Sequence, residues 1–311
     1  MARVVVITPN PAIDVTYRVA EQRIGETQRV ETVTRMPGGK GINVARVLTA
    51  VGMPARSVLP LGGASGTWIA TALGDMDLAA TVVPIADETR STVTVVDDIA
   101  HPTMYGEPGP AVSADEWEAV TSAVAALLAP TDGSAPDALV VSGSLPPGTD
   151  PAVVATLVRI GREARRITVV DASGPALLAA ADAGATVLKP NRDELLDATG
   201  ADDERSGALL LLERGAGTVV VSRGADGIAA HTRSGTVSMP AVPGVHGNPT
   251  GAGDAATAGL VAALVEGLEL PDVLARAAAF GAAAVLRPIA GEVDLAAVPR
   301  FLHHLTSGAS A

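Results

Sequence analysis

The segment Gly251-Ala252-Gly253-Asp254 sets two glycines and an alanine directly against a carboxylate, and a small-residue run continues to Glu266. That pattern predicts a helix start with few side chains in the way. The first N–H groups of a helix have no intrahelical acceptor, so they form an anion site that glycine leaves open to close approach. Asp254 is the only charged side chain in this first turn. The helix dipole favours its ionised form there, so it is expected to stay a carboxylate. A carboxylate beside a phosphate-sized anion site suggests a general base, taking a proton from a hydroxyl while a phosphoryl group is held next to it. Two other readings use the same residues. The segment could be a helix cap with packing glycines. Gly251-x-Gly253-x-x-Ala256 also matches the dinucleotide fingerprint, but a turn-rich loop, Pro243–Pro249, precedes it instead of a strand, and too little chain follows.

Further polar clusters fall where strands should end. Asp14 follows the first strand. Gly38-Gly39-Lys40-Gly41-Ile42-Asn43 is a glycine turn with one cation and one amide. It is not a Walker A loop, because Gly41 stands where Ser or Thr should follow the lysine; a plain helix entry explains it too. Ser142-Gly-Ser-Leu-Pro-Pro-Gly148 reads as a rigid turn. In Lys189-Pro190-Asn191-Arg192-Asp193-Glu194, Asn191 and Glu194 are oxygen donors three apart on one helical face, suited to a hydrated Mg²⁺. A capped helix uses the same two residues. Ser222-Arg-Gly224-Ala-Asp-Gly227 is either a nucleotide-contacting loop or a hairpin corner. The histidines at 101, 231, 246, 303 and 304 lack metal-ligand spacing, and His303-His304 reads as an exposed helix end.

The elements that must position these groups follow from periodicity. Arg3–Ile7 is a short β-branched run, a central strand. Residues 12–36 and 89–106 alternate apolar and polar positions and predict a small β-sheet lid interleaved with the main body. Helices are expected at Ile42–Val51 and Thr67–Leu73, and strands at Ser57–Leu61 and Leu78–Pro84. From Ser113-Ala-Asp-Glu116, a capping box, strands and helices alternate regularly. Strands are predicted at Asp137–Val141, Ile167–Asp171, Thr186–Leu188 and Thr218–Ser222, with a hairpin over Gly227–Pro240. Helices are predicted at Pro151–Arg165, Pro175–Ala181, Glu194–Thr199, 203–214, Gly251–Glu266, Pro271–Leu286 and Ala296–Leu305, with a frayed tail, Thr306–Ala311. Such alternation implies an α/β fold in one domain, a mainly parallel sheet covered by helices on both faces. Ligands of such sheets bind outside the carboxyl ends of the strands.

Composition narrows the function classes. The chain has 311 residues, 48% of them hydrophobic but only 2% aromatic, so its core must be close-packed from small side chains. A net charge of −12 argues against nucleic acid and anionic membranes as partners. Without cysteine there is neither a disulfide nor a thiolate. No apolar run reaches the ~18 residues of a membrane span, and the N-terminus lacks a signal-peptide layout, so a cytoplasmic protein is expected.

Taken together, Thr8-Pro-Asn-Pro-Ala-Ile-Asp14, Gly38–Arg46, Thr89-Arg90, Ser142–Gly148, Lys189-Pro-Asn-x-x-Glu194, Val221-Ser-x-Gly-x-x-Gly227 and Gly251–Asp254 resemble a ribokinase-like carbohydrate kinase of the PfkB family. They are most similar to its branch of 1-phosphofructokinase, tagatose-6-phosphate kinase and minor 6-phosphofructokinase. The resemblance implies a three-layer ribokinase-like fold with a β lid that often pairs with a second subunit. It implies ATP and Mg²⁺, with Asp254 as the base and Gly251, Ala252 and Gly253 as the anion hole. Asn191 and Glu194 would organise Mg²⁺ through water, and Lys189, Asn191, Ser222, Gly224 and Gly227 would line the ATP site. Asp14, Gly38, Gly39, Lys40, Asn43, Arg90 and Ser142 would grip a sugar or sugar phosphate. Two departures stand out. Asn248-Pro249-Thr250 replaces the family's Asp-Thr-x, which bears against a monovalent-cation site. Thr103-Met-Tyr-Gly-Glu107 replaces the branch's lid segment. The rival in another class is a non-catalytic sensor, which should have lost Asp254 or the Asn191/Glu194 pair.

Overall fold

Strand β1 (Val4–Ile7) is buried at every residue, and its neighbours on both sides are parallel to it. Its alternation divides the interior: Val4 and Val6 face one hydrophobic cluster, Val5 and Ile7 the other. Residues 3–97, 99, 102–129 and 135–307 are described by the structure, a computed structural model. After β1 come β2 (Ala12–Arg18), β3 (Thr32–Gly38), α1 (Lys40–Ala50), β4 (Ala55–Leu61), α2 (Gly63–Asp75) and β5 (Ala79–Pro84). Then follow β6 (Arg90–Val96), β7 (Thr103–Gly106), α3 (Ala114–Leu128), β8 (Ala138–Ser142), α4 (Ala152–Glu163), β9 (Ile167–Asp171) and α5 (Gly174–Asp182). The chain continues through β10 (Val187–Leu188), α6 (Arg192–Thr199), α7 (Glu204–Arg214), β11 (Thr218–Ser222), β12 (Ile228–Thr232) and β13 (Gly235–Met239). Helices α8 (Ala252–Val265), α9 (Leu270–Val285) and α10 (Val298–Ser307) close it.

The main sheet has the order β13-β12-β11-β10-β9-β8-β1-β4-β5. It is parallel except for the β12–β13 hairpin at one edge. One face is covered by α1, α8, α9 and α10, through residues such as Val44, Leu260, Leu274 and Phe280. The other is covered by α3 to α7, through Trp117, Leu157, Leu177, Leu195 and Leu211. This is the three-layer α/β architecture that the βα alternation predicts. Strand order reverses at β1, so a crevice opens beyond the carboxyl ends of β1 and β8.

The remaining strands form a separate four-stranded sheet, β3-β2-β6-β7, drawn from both segments expected to make it. Strand β3 begins at Thr32, so Gln28 and Val30 lie outside it, and it runs on to Gly38, paired with Ala12. That pairing carries the glycine turn onto the sheet edge and delivers Lys40 as the first residue of α1. Most helix ends fall within two residues of the predicted ones, some longer and some shorter, and α2 starts four residues early at Gly63, because caps and first turns carry no apolar periodicity. Thr306 and Ser307 are helical, contrary to the expected frayed tail; the rest of that tail, and His101, lie outside the described residues.

Candidate active site

Most side chains of the site leave the carboxyl end of a strand or the start of a helix; Asp14, expected just after the first strand, lies inside β2, and Arg90 opens β6. Asp171 ends β9, Ser142 ends β8, Lys189 follows β10, and Ser222 ends β11. Asp254 sits in the first turn of α8, behind the cap residue Gly251. Gly251 has φ +82, and a Cβ there would come within 2.8 Å of Ala290, so only glycine lets the chain enter the helix here. At Gly253 a Cβ would meet open space, which leaves the helix start accessible to an anion.

Asp254 is 7% exposed, and its Oδ2 accepts a 2.8 Å hydrogen bond from Asn43 Nδ2. Burial, with the Asp171 charge adding to it, pushes its pKa from 3.8 to about 7, against the opposing pull of Asn43, Lys40 and Lys189. The expectation that Asp254 stays fully ionised is therefore corrected. The helix dipole contributes ~0.3–1 kcal/mol, too little to offset desolvation and a like charge. A pKa near neutrality suits a base that must both take and release a proton.

Asp171 was given no role by the sequence, yet it is the hub of the site. It is 2% exposed. Its Oδ2 lies 3.0 Å from Lys189 Nζ and accepts from Thr257 Oγ1 at 2.9 Å; its Oδ1 lies 3.3 Å from Lys40 Nζ. Burial works against its charge, but the two ammonium groups and the hydroxyl hold its pKa below the ordinary range. Lys189, expected at the ATP phosphates, is 3% exposed and faces Asp171 instead. The accessible ammonium is that of Lys40, whose side chain is 42% exposed. Its pKa is raised, mainly by Asp171. Asp171 ends a strand already read from the sequence, and Thr257 lies one helical turn beyond Asp254; those placements were the available signals.

Asn191 and Glu194 form a reciprocal capping box. Asn191 Oδ1 accepts from the Glu194 amide at 2.8 Å, and Glu194 Oε2 accepts from the Asn191 amide at 2.9 Å. Glu194 Oε1 lies 3.5 Å from Lys40 Nζ. Each of these oxygens retains a second lone pair, which fits a hold on a metal's water shell and not direct chelation. Among the described residues no group of three acidic, His or Cys side chains could hold a metal ion.

At the junction of the two sheets, burial raises the pKa of Asp14 from 3.8 to about 6, although Arg90, the Gly39 amide and Arg46 pull the other way. A Cβ on Gly38 would fall 2.1 Å from the Asp14 carboxyl, so glycine is required for this approach. Arg90 donates through Nε and Nη2 to the Asn10 carbonyl (3.3 and 3.0 Å) and through Nη1 to the Glu107 carbonyl at 2.8 Å. It thus latches the small sheet to the end of β1. Thr8 Oγ1, Asn10 Oδ1 and Ser142 Oγ are buried near the same crevice without a hydrogen-bond partner in the structure. Ser222, Gly224 and Gly227 lie together in the turn between β11 and β12, and Ser222 bridges to Asn191. His231 is paired with Glu204, while His303 and His304 are exposed on α10 as expected.

An acidic residue at a glycine-lined helix start, beyond the carboxyl ends of a doubly covered parallel sheet, is an arrangement suited to phosphoryl transfer to an alcohol. Residues 1–295 match the model of the pfkB family carbohydrate kinases, and the chain belongs to that family. It is an ATP-dependent carbohydrate kinase. The chain is 32% identical over 308 residues to the ATP-dependent 6-phosphofructokinase isozyme 2 of Mycobacterium tuberculosis, covering 96% of this chain and 88% of the relative. It is similar in structure to phosphofructokinase-2 from Escherichia coli in complex with potassium, with TM-score 0.90 and 28% identity over 98% and 100% of the two chains. Ribokinase from Arabidopsis thaliana, complexed with ribose and ATP, shares the fold with TM-score 0.74 at 22% identity over 97% and 99% of the chains. Catalysis displaces the sensor reading, and Asp254, Asn191 and Glu194 are all in place.

Proposed function

We propose that this kinase phosphorylates a hydroxymethyl group of a hexose phosphate, with fructose 6-phosphate, fructose 1-phosphate and tagatose 6-phosphate as the candidate acceptors. The observation that carries the chemistry is Asp254, pinned by Asn43 at the start of α8 with its pKa near neutrality. Asp254 takes the acceptor's hydroxyl proton. The oxygen forms its bond to the γ-phosphorus of ATP as the bridging P–O bond breaks, and ADP carries away the electron pair. The amides around Gly251, Ala252 and Gly253 receive the developing negative charge. Lys40, exposed beside Asp171 and Glu194, grips the sugar phosphate or steadies the γ-phosphate of ATP, while Lys189 acts through Asp171 by holding that carboxylate ionised. Mg²⁺, held through water by Asn191 and Glu194, would supply charge neutralisation on the ATP phosphates. Ser222, Gly224 and Gly227 line the nucleotide. Asp14, Gly38, Gly39, Asn43 and Ser142 grip the sugar.

The four-stranded sheet acts as the lid that excludes water. Its exposed Val33, Met104 and Tyr105 suit pairing with a second copy of the chain. No helix among the described residues is long and apolar enough to cross a membrane, and we place the enzyme in the cytoplasm. The acceptor assignment is supported by the mycobacterial relative's name and by Arg90 beside Asp14, whose fork suits a phosphate. One observation favours a second reading, a kinase of an unphosphorylated sugar, cyclitol or oligosaccharide: Arg90 already gives three N–H groups to two carbonyls. Initial rates with the three hexose phosphates, set against fructose, tagatose, ribose and inositol, test the assignment. Turnover confined to one or more hexose phosphates supports it. Rapid turnover of a free sugar or cyclitol, with every hexose phosphate inert, overturns it.

A further inference from the structure

Helix α7 contributes no residue to the candidate site, yet its first residue, Glu204, gathers contacts from both segments assigned to the nucleotide. Its carboxylate is largely buried, with side-chain exposure of 12%. Arg223 donates from Nε to Oε2 at 2.8 Å and from Nη2 to Oε1, a two-pronged pair. His231 Nε2 lies 2.7 Å from Oε1, and its Nδ1 lies 3.1 Å from Thr236 Oγ1, which ties the β12–β13 hairpin into the cluster. Arg192 Nε approaches Oε2 at 3.4 Å while its Nη2 reaches Asp226 at 3.4 Å.

The sequence positions of these partners matter more than their number. Arg223 lies between Ser222 and Gly224, inside the turn that follows β11. Arg192 lies between Asn191 and Glu194, inside the turn that opens α6. Besides the backbone bridge of Asn191 with Ser222, where the Ser222 amide donates to the Pro190 carbonyl at 3.2 Å, Arg192 links these two turns directly to Asp226 and, through Glu204, to Arg223. We propose that Glu204 is a positioning residue that sets the spacing of the Asn191–Glu194 turn against the Ser222–Gly227 turn, and thereby the fit of the site to ATP. The inference rests on the assignment of Ser222, Gly224 and Gly227 to the nucleotide. A carboxylate that only fastened α7 to the sheet would change stability and leave nucleotide affinity alone. Glu204 instead acts on the two turns from behind, so its removal lets them separate without touching Asp254, Asn43 or the acceptor side.

Steady-state kinetics of Glu204→Gln, Arg223→Lys and Ser222→Ala test this, with thermal unfolding recorded for each. The expected result is a KM for ATP at least about fivefold higher in Glu204→Gln and in Arg223→Lys, with the acceptor KM within about twofold of the parent. A double variant combining Glu204→Gln with Arg223→Lys should be no worse than the worse single, because both changes break one pair. Arg223→Lys keeps the charge and loses the fork, so it carries the test if Glu204→Gln does not fold. An unchanged ATP KM in the folded variants, with Ser222→Ala raising it, overturns the positioning role and leaves the nucleotide assignment standing. An unchanged ATP KM in all three, Ser222→Ala included, overturns both. A fall in melting temperature with no change in ATP KM marks a merely structural pair and also overturns the inference.

Discussion

Asp254→Asn should make the protein more stable at pH 8 than the parent, although it removes the proposed base. Asp254 is 7% exposed and its pKa is raised from 3.8 to about 7. The folded state therefore holds a proton that the unfolded chain releases. Its ionisation destabilises the fold as pH rises through the window from 3.8 to about 7, and the cost is complete above it. About three pKa units at ~1.4 kcal/mol each give about 4 kcal/mol at pH 8, and less than half of that at pH 5. Asparagine is neutral at both values and can still contact Asn43, so the variant escapes the penalty. Urea unfolding of both proteins without substrates, at pH 5 and pH 8, measures the difference. The variant's advantage should be present at pH 8 and shrink towards pH 5. An equal difference at both pH values, or a variant weaker at pH 8, refutes the claim that burial and Asp171 govern this carboxyl.

Three further outcomes follow from the same geometry. The kcat/KM for the acceptor should fall below about pH 7 with a slope of one and steepen below about 6, as Asp254 and then Asp14 take up protons; a profile flat from pH 8 to 5.5 contradicts this. Asp171→Asn should destabilise the protein by ~3–5 kcal/mol in urea unfolding at pH 7, because it strands the buried ammonium of Lys189; the Asp171 contribution is present above its unfolded pKa and fades as pH falls below 4. Glu194→Gln should raise the Mg²⁺ concentration giving half-maximal rate, and an unchanged titration would reduce Asn191 and Glu194 to a helix cap.

The sequence spoke most clearly where chemistry and chain geometry share residues. Gly251 and Gly38 are required by close approach, and Gly253 leaves the helix start open, so one glycine pattern carries the turns and the function together. The central strand was equally legible, because Val4–Ile7 is buried on both faces and reads as one apolar run. Asp171 was hidden for the opposite reason. It is one aspartate at a strand end, and its meaning comes from Lys40, Lys189 and Thr257, which are distant in sequence and meet only in the fold. The protonation of Asp254 escaped for a related reason: a sequence displays the helix dipole but not the depth of burial. Glu204 is in sequence one acid in the first turn of a helix, and the return of β12 alongside β11 brings His231 to it.

Turnover of Asp254→Asn decides whether this carboxyl is the base. With saturating MgATP and the preferred acceptor, kcat should fall by at least ~10²–10⁴-fold, while ATP still binds the variant with near-parental affinity. A folded Asp254→Asn enzyme that turns over at close to the parental rate would show that another group takes the proton.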